Sequence, residues 1–157
     1  LFLLSYKHSG LITEEDIVEA IPKTLQDNIF DLTQLIITKK IDQARDLVKD
    51  LTLQGEDEIK LIAIMLGQFR LYTQVKILQE SGQTESQMVS GLGHYLGRNP
   101  NPYQIKFALR DTRGLSLKFL QDSIRYLIQA DYQIKTGVYE KGYLFEKALL
   151  QIASQSN

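Results

Sequence analysis

The sequence has no cysteine among its 157 residues and only two histidines, His8 and His94. Without cysteine, disulfide bonds, a thiolate nucleophile and thiolate metal ligands are excluded, and a reducing cytosol fits best. The histidines lie in different segments without neighbouring acidic ligands, so we predict no metal site and interpret both as surface or loop residues. No glycine begins a phosphate-binding loop, and we therefore expect no nucleotide cofactor and no catalysis.

An excess of charge of either sign is also missing, because 18 basic residues are balanced by 19 acidic ones. A domain built around phosphate contacts usually has a clear excess of lysine and arginine, so the composition argues against direct DNA binding. The longest apolar run, residues 61–66, is far below the roughly 18 residues that predict a membrane span. The apolar patch at residues 1–4 is too short for a signal-peptide core, and we interpret it as the end of a helix from a longer protein.

Helical periodicity dominates the rest of the sequence. Two long helices are predicted, at about 56–79 and 116–135. Glu56 and Asp57 place negative charge at the start of the first, which a helix N-terminus favours, and Ser116 can cap the second. Around residues 61–66 the first helix is apolar on nearly all sides, which is typical of a helix surrounded by others. We expect it to form the centre of the domain.

Shorter helices are predicted around this pair, and no stretch has the two-residue alternation of a strand. Thr13 with Asp16, and Thr84 with Gln87, have capping-box spacing. The predicted helices after these boxes end before Pro22 and near Leu92. The other predicted helices span about 29–38, 42–51, 102–113 and 141–153. Asp27 is the expected cap of the helix at 29–38. Gly91, Gly93, Gly97 and residues 99–102 predict a loop, after which Asn101 caps a helix that begins at Pro102 and ends before Gly114. The fold class is therefore an all-α helical bundle.

Asp131 occupies a position in the second long helix where the apolar stripe predicts an apolar residue. A buried carboxylate needs a partner, and Lys135, one turn later, and Arg70, on the first long helix, are the candidates. In that case Asp131→Ala costs on the order of 1 to 3 kcal/mol. The alternative is that the helix is leaving the core at this point and that Asp131 is solvated.

The segment 84–113 has the outline of a helix-turn-helix, which gives an alternative function. Its second helix offers Gln104, Lys106 and Arg110 to DNA. The same outline is common in helical bundles, and the loop rich in glycine and proline fits a tight turn poorly. The alternative to a protein-interaction module is therefore a DNA-binding helical regulator.

Five segments in order resemble the delta subunit of bacterial DNA polymerase III. They are DNIFDL at 27–32, GEDEIK at 55–60, QFR at 68–70, NPY at 101–103 and DYQIKTG at 131–137. The resemblance implies a clamp-loader component in which residues 1–23 are the end of a helical lid domain and residues 24–157 form a helical collar domain. The collar would hold the loader together in DNA replication, within a cytoplasmic replisome associated with the nucleoid.

The resemblance also implies partners and candidate residues. The partners of the collar would be the ATPase subunits and the delta-prime subunit, whereas the sliding clamp would be gripped by a part of the delta subunit that precedes Leu1. No membrane and no cofactor are implied. Aromatic side chains often anchor interfaces, and those near the last helix are candidates for exposure, although core packing is the default for any one of them. The candidate structural or interface residues are Gln68, Arg70, Asp131, Tyr132, Lys135, Tyr139, Tyr143 and Phe145.

Overall fold

The computed structural model describes residues 22–96 and 102–157, with the backbone alone at 94–96. This part of the chain forms α-helices and contains no strand, which confirms the all-α prediction. The helices are α1 (Lys23–Ile37), α2 (Ile41–Leu53), α3 (Glu58–Glu80), α4 (Glu85–Leu96), α5 (Pro102–Thr112), α6 (Leu117–Lys135) and α7 (Lys141–Ala153).

Helix α3 is the centre of the bundle and contacts α1, α5, α6 and α7. Its N-cap is Asp57, whose carboxylate accepts a hydrogen bond of 2.8 Å from the backbone N–H of Ile59. All six side chains of residues 61–66 are buried, as predicted from the apolar run. By length and composition α3 is also the one helix in the described ranges that could cross a membrane, but half of its apolar window is buried within the bundle. That burial is typical of a core helix.

Helices α6 and α7 complete the core around α3. Ser116 caps α6 as predicted, since its hydroxyl accepts a hydrogen bond of 3.0 Å from the N–H of Phe119. One face of α6 is buried and packs on α3 and α7. This face consists of Phe119, Leu120, Ser123, Leu127, Ala130 and Ile134.

Two predicted boundaries are wrong. Helix α1 begins at Lys23, with Pro22 at its N-cap, so Asp27 lies inside the helix and does not cap it. Leu25 is buried together with Ile29, and the apolar face therefore starts one turn earlier than predicted. Helix α4 continues to Leu96, which places Gly91 and Gly93 inside a helix and not in a loop. Its buried residues Met88 and Leu92 pack in the core, and this burial offsets the roughly 1 kcal/mol by which each glycine disfavours a helix.

Other predicted boundaries are confirmed. The N–H of Thr84 lies 2.9 Å from Oε1 of Gln87, and the N–H of Gln87 lies 3.2 Å from Oγ1 of Thr84, which is a reciprocal capping box. Pro102 is the first residue of α5, and Gly114 follows its end with a φ of 85°, a conformation that glycine adopts readily. The predicted capping box at Thr13 and Asp16, the helix before Pro22 and the Asn101 cap lie outside the described residues.

Candidate protein-interaction surface

Exposed aromatic side chains gather at the connection between α6 and α7. Tyr132 lies on the last turn of α6, Tyr139 lies in the connection just before α7, and Tyr143 lies on the first turn of α7; all three are exposed. The rings of Tyr139 and Tyr143 are in contact, with centroids 5.7 Å apart. We call the segment from Tyr132 to Tyr143 the tyrosine turn.

The backbone of the tyrosine turn is fixed by hydrogen bonds at the end of α6. The N–H of Gly137 donates to the carbonyl of Ile134 at 3.2 Å, and the N–H of Val138 donates to the carbonyl of Gln133 at 3.1 Å. Gly137 has a φ of 71°, which glycine allows at the end of a helix without a steric penalty. The reversal leaves Val138 and Tyr139 exposed beside the end of α6.

Phe145 does not belong to this surface. It is a candidate for exposure together with the three tyrosines, but its side chain is completely buried, which is the core packing that is the default for such a residue. Helix α7 places position 145 on the side that it shares with Leu144, Ala148 and Leu149, which faces the core. Phe145 is therefore a packing residue, because the burial of an aromatic at a helix start depends on which side of the helix faces the core and not on its sequence position alone.

Asp131 binds Lys135, one of its two expected partners. The Nζ of Lys135 lies 2.8 Å from Oδ2 of Asp131, and 26% of the Asp131 side chain is exposed. The buried stripe of α6 runs through Leu127, Ala130 and Ile134, so Asp131 lies at its edge and not within it. Asp131 is thus more than half buried and bonded to a cation, as the first alternative expects. The pair is nevertheless one helical turn apart at the border of the core, and such pairs contribute less than the 1 to 3 kcal/mol expected for a fully buried carboxylate.

The remaining two candidates lie on α3. Gln68 connects α3 to α1, because its Oε1 is 2.5 Å from the hydroxyl of Thr33, which is completely buried. Arg70 is exposed. Gln68 therefore has a packing role, Arg70 is an exposed candidate on α3, and the exposed aromatic candidates lie in the tyrosine turn.

Sequence reasoning missed a carboxylate that the fold buries. Asp111 on α5 has only 6% of its side chain exposed. Its oxygens accept hydrogen bonds from the hydroxyl of Tyr72 at 2.8 Å, from Nε2 of Gln34 at 3.2 Å and from Nε of Arg110 at 3.1 Å. Burial and the neighbouring carboxylate raise the pKa of Tyr72 well above its ordinary value, so its hydroxyl stays a donor.

Three further polar links between distant segments were also missed. Asp57 binds Lys141 at 2.8 Å and joins the start of α3 to the start of α7. Arg45 binds Glu146 at 2.6 Å across a groove of about 520 Å³ between α2 and α7. Lys39, in the turn after α1, donates from Nζ to the carbonyls of Ala153 and Gln155 at 2.7 and 2.6 Å, at the C-terminus of α7. Such a cation offsets the negative end of the helix dipole.

The described residues contain no group of three or more histidine and acidic side chains arranged to hold a metal. The backbone of His94 lies in α4, and His8 lies outside the described residues. Gln104, Lys106 and Arg110, the candidate DNA-reading residues, are exposed on α5. All three share their helix with the buried Asp111, to which Arg110 is bound.

Comparison with known proteins identifies the family. Residues 26–152 match the model of the DNA polymerase III delta subunit, C-terminal domain. The chain belongs to this family. Its sequence is 32% identical over 145 residues to DNA polymerase III subunit delta of Bacillus subtilis, which covers 92% of this chain and 40% of that protein.

A solved structure agrees with this assignment. The chain is similar to the Bacillus subtilis DNA clamp loader delta protein, with a TM-score of 0.74 and 31% identity over 90% of this chain and 40% of that one. This delta-family chain therefore spans less than half the length of the relatives that it matches. The interpretation as the C-terminal part of a delta subunit is confirmed, and the comparisons give no support to the helix-turn-helix alternative.

Proposed function

We propose that the chain is a collar domain that holds a delta subunit to the other subunits of a clamp loader. The observation that carries the proposal is the structural likeness to the clamp loader delta protein over 90% of this chain. Residues 24–157 form the collar, and residues 1–23 are the end of a preceding lid domain. The start of the family match at residue 26, close to the start of α1, supports this division.

The tyrosine turn is the surface that we assign to these contacts. Tyr132, Tyr139 and Tyr143 are large amphipathic side chains of the kind that anchor interfaces. The partners are the ATPase subunits and the delta-prime subunit, and the sliding clamp is contacted by another part of the delta subunit. The domain acts in the bacterial cytoplasm, in a replisome at the nucleoid. It performs no catalysis, which agrees with the lack of a phosphate-loop motif in the sequence.

Gel filtration tests this function. At micromolar concentration the chain is expected to run alone as a monomer and to co-elute with the ATPase and delta-prime subunits when mixed with them. Replacing Tyr139 and Tyr143 together by serine should weaken this association by at least about tenfold, because interface aromatics carry much of the binding energy. Leu53→Ser is the matched control, since Leu53 is an exposed apolar residue on another helix, α2.

Two results would contradict the proposal. The first is a folded chain that never shifts toward the loader subunits. The second is a chain that does not bind those subunits but retards duplex DNA at physiological salt. That result would favour the DNA-binding alternative. Repeating the DNA titration at two salt concentrations identifies phosphate contacts, because binding through them weakens steeply with salt.

A further inference from the structure

The outward side of α5 combines exposed aromatic side chains with cations. Its inward side is buried through Ile105, Ala108 and Thr112. The outward residues of α5 recur at steps of three and four, so they share one stripe about 10 Å long at 1.5 Å per residue, and Arg113 follows directly after the helix ends at Thr112. We call this stripe together with Arg113 the α5 face, and it consists of Tyr103, Lys106, Phe107, Arg110 and Arg113, all of them exposed.

Arg110 is held in place at the centre of the α5 face by the buried network of Asp111. Its Nε donates to Oδ1 of Asp111 at 3.1 Å, and Asp111 is itself held by Tyr72 and Gln34 from α3 and α1. The guanidinium has four further N–H donors, and 55% of the Arg110 side chain is exposed. Arg110 therefore offers a fixed set of donors to a ligand in solvent.

Phe107 is fixed beside Arg110. The guanidinium carbon of Arg110 lies 4.8 Å from the centre of the Phe107 ring. On the α1 side, the centre of the Phe30 ring lies 5.7 Å from the centre of the Phe107 ring. A side chain that is already ordered loses little conformational entropy on binding, which favours association. Arg110 and Phe107 thus form a prearranged pair of a cation and an apolar ring.

The charge of the α5 face has one sign. Lys106 and Arg113 flank Arg110, and the one acidic residue of α5, Asp111, is buried. Lys76 adds a further cation at the end of α5, where its Nζ lies 3.3 Å from the carbonyl of Thr112. This concentration of positive charge occurs in a chain whose net charge is -1, and it is complementary to an acidic ligand.

We infer that the α5 face binds an acidic peptide segment of a partner protein, in which a carboxylate contacts Arg110 and an adjoining apolar side chain packs on Phe107 and Tyr103. Arginine suits this role because its planar fork matches a carboxylate with two parallel hydrogen bonds. The site is distinct from the tyrosine turn and does not depend on the identity of the loader subunits.

The surroundings of the α5 face favour a peptide over a nucleic acid. The helix that supplies Phe30 also exposes Asp27 and Asp31, on either side of Phe30 in the sequence. A phosphate backbone running across both helices would approach these carboxylates, whereas a short acidic segment on α5 needs only the three cations of the α5 face. Nucleic-acid binding also gains its affinity from many phosphate contacts, which three cations do not supply.

A titration followed by nuclear magnetic resonance tests the inference with the chain alone. The probe is a short acetylated peptide with glutamates on both sides of a phenylalanine. It should shift the amide signals of α5, and a peptide with glutamine in place of each glutamate should bind at least about tenfold more weakly, the loss expected for a charge-assisted hydrogen bond. Arg110→Gln should cause the same loss of affinity.

Arg125→Gln is a matched control for this substitution. Arg125 also lies over an aromatic ring, that of Tyr126 at 5.5 Å, and also pairs with an aspartate, Asp122. It lies on α6, outside the α5 face, and its loss should leave peptide affinity unchanged. Arg110→Lys keeps the charge without the planar fork and should bind more weakly than wild type, and it provides the measurement if Arg110→Gln does not fold.

Three outcomes would overturn the inference. They are equal binding of the glutamine peptide, equal losses from the Arg110 and Arg125 substitutions, and tighter binding of a short oligothymidine than of the acidic peptide. The last would assign the α5 face to nucleic acid. Since no loader subunit is present in this titration, its failure leaves the proposed collar function untouched, and a failure of co-elution leaves the peptide site untouched.

Discussion

The hydroxyl of Tyr72 on α3 donates a hydrogen bond of 2.8 Å to Oδ2 of Asp111 on α5. This bond joins two helices through a carboxylate that is almost completely removed from solvent. Burying a carboxylate costs free energy unless its hydrogen bonds are made, so the packing of α5 against α3 and α1 depends on this network.

Asp111→Ala should therefore lower the free energy of unfolding by about 1 to 3 kcal/mol, because it leaves the donors of Tyr72 and Gln34 without their acceptor. Urea denaturation followed by circular dichroism measures the loss. Asp31→Ala, at an exposed position of α1, is the control and should change stability by less than about 0.5 kcal/mol. Equal effects of the two substitutions would contradict the role of the network.

Phe145→Ala should lower the free energy of unfolding by about 3 to 5 kcal/mol, because it leaves a cavity in the core where the ring is completely buried. Tyr143→Ala, two residues earlier and exposed, should lose far less stability in the same urea measurement. A small loss for Phe145→Ala would show that the core does not need this ring.

The ion pair of Asp131 and Lys135 should contribute little to stability. It is a pair one helical turn apart at the border of the core, and such pairs contribute about 0.3 to 0.5 kcal/mol. Lys135→Gln should lower the free energy of unfolding, measured by urea denaturation, by this amount, and the difference from wild type should shrink in high salt. A loss of unfolding free energy above about 1 kcal/mol that does not change with salt would instead indicate that Asp131 behaves as a carboxylate buried in the core.

The link between Asp57 and Lys141 should make stability depend on pH. The hydrogen bond from Lys141 holds the pKa of Asp57 below its ordinary value of 3.8, and the same bond raises the pKa of Lys141 above 10.5. The stabilisation from Asp57 is fully present above pH 3.8 and is lost as the pH falls through its lower folded pKa. The stabilisation from Lys141 is present below pH 10.5 and is lost as the pH rises through its higher folded pKa.

Melting temperatures measured from acid to neutral pH check this link. Lys141→Gln should lower the melting temperature slightly at neutral pH, and the difference from wild type should disappear in acid below the folded pKa of Asp57. The effect is small because half of each side chain is exposed to screening solvent. Lys147→Gln, at another exposed position of α7, is the control. A difference that persists unchanged in acid would contradict the assignment to Asp57.

The chain should neither bind nor hydrolyse ATP. Its sequence contains no glycine-rich loop followed by lysine and serine or threonine, which is the arrangement that surrounds phosphates in ATPases. Calorimetry with pure protein and MgATP should give no saturable heat at micromolar concentrations. Saturable binding would contradict the proposal of a non-catalytic domain.

Features set by neighbouring residues could be predicted from the sequence. The capping box of Thr84 and Gln87 and the Ser116 cap depend on contacts within one helical turn, and both are confirmed. The central position of α3 is confirmed as well, because apolar residues on nearly all sides of a helix mark it in the sequence as one surrounded by others. The ordered segments from 27 to 137 also pointed to the family that the comparisons establish. Local hydrogen bonds and apolar periodicity carry this information directly.

Tertiary structure alone decided which side chains meet. Gln34 and Asp111 are 77 residues apart in the chain, and no local pattern marks Asp111 as buried. The same holds for Phe145, whose sequence neighbours Tyr143 and Glu146 are both more exposed than it is, and for Gly91, which packing around Met88 and Leu92 keeps within a helix. Burial depends on the rotation of each helix against its neighbours, which is set by the packing of the whole core and not by any single segment.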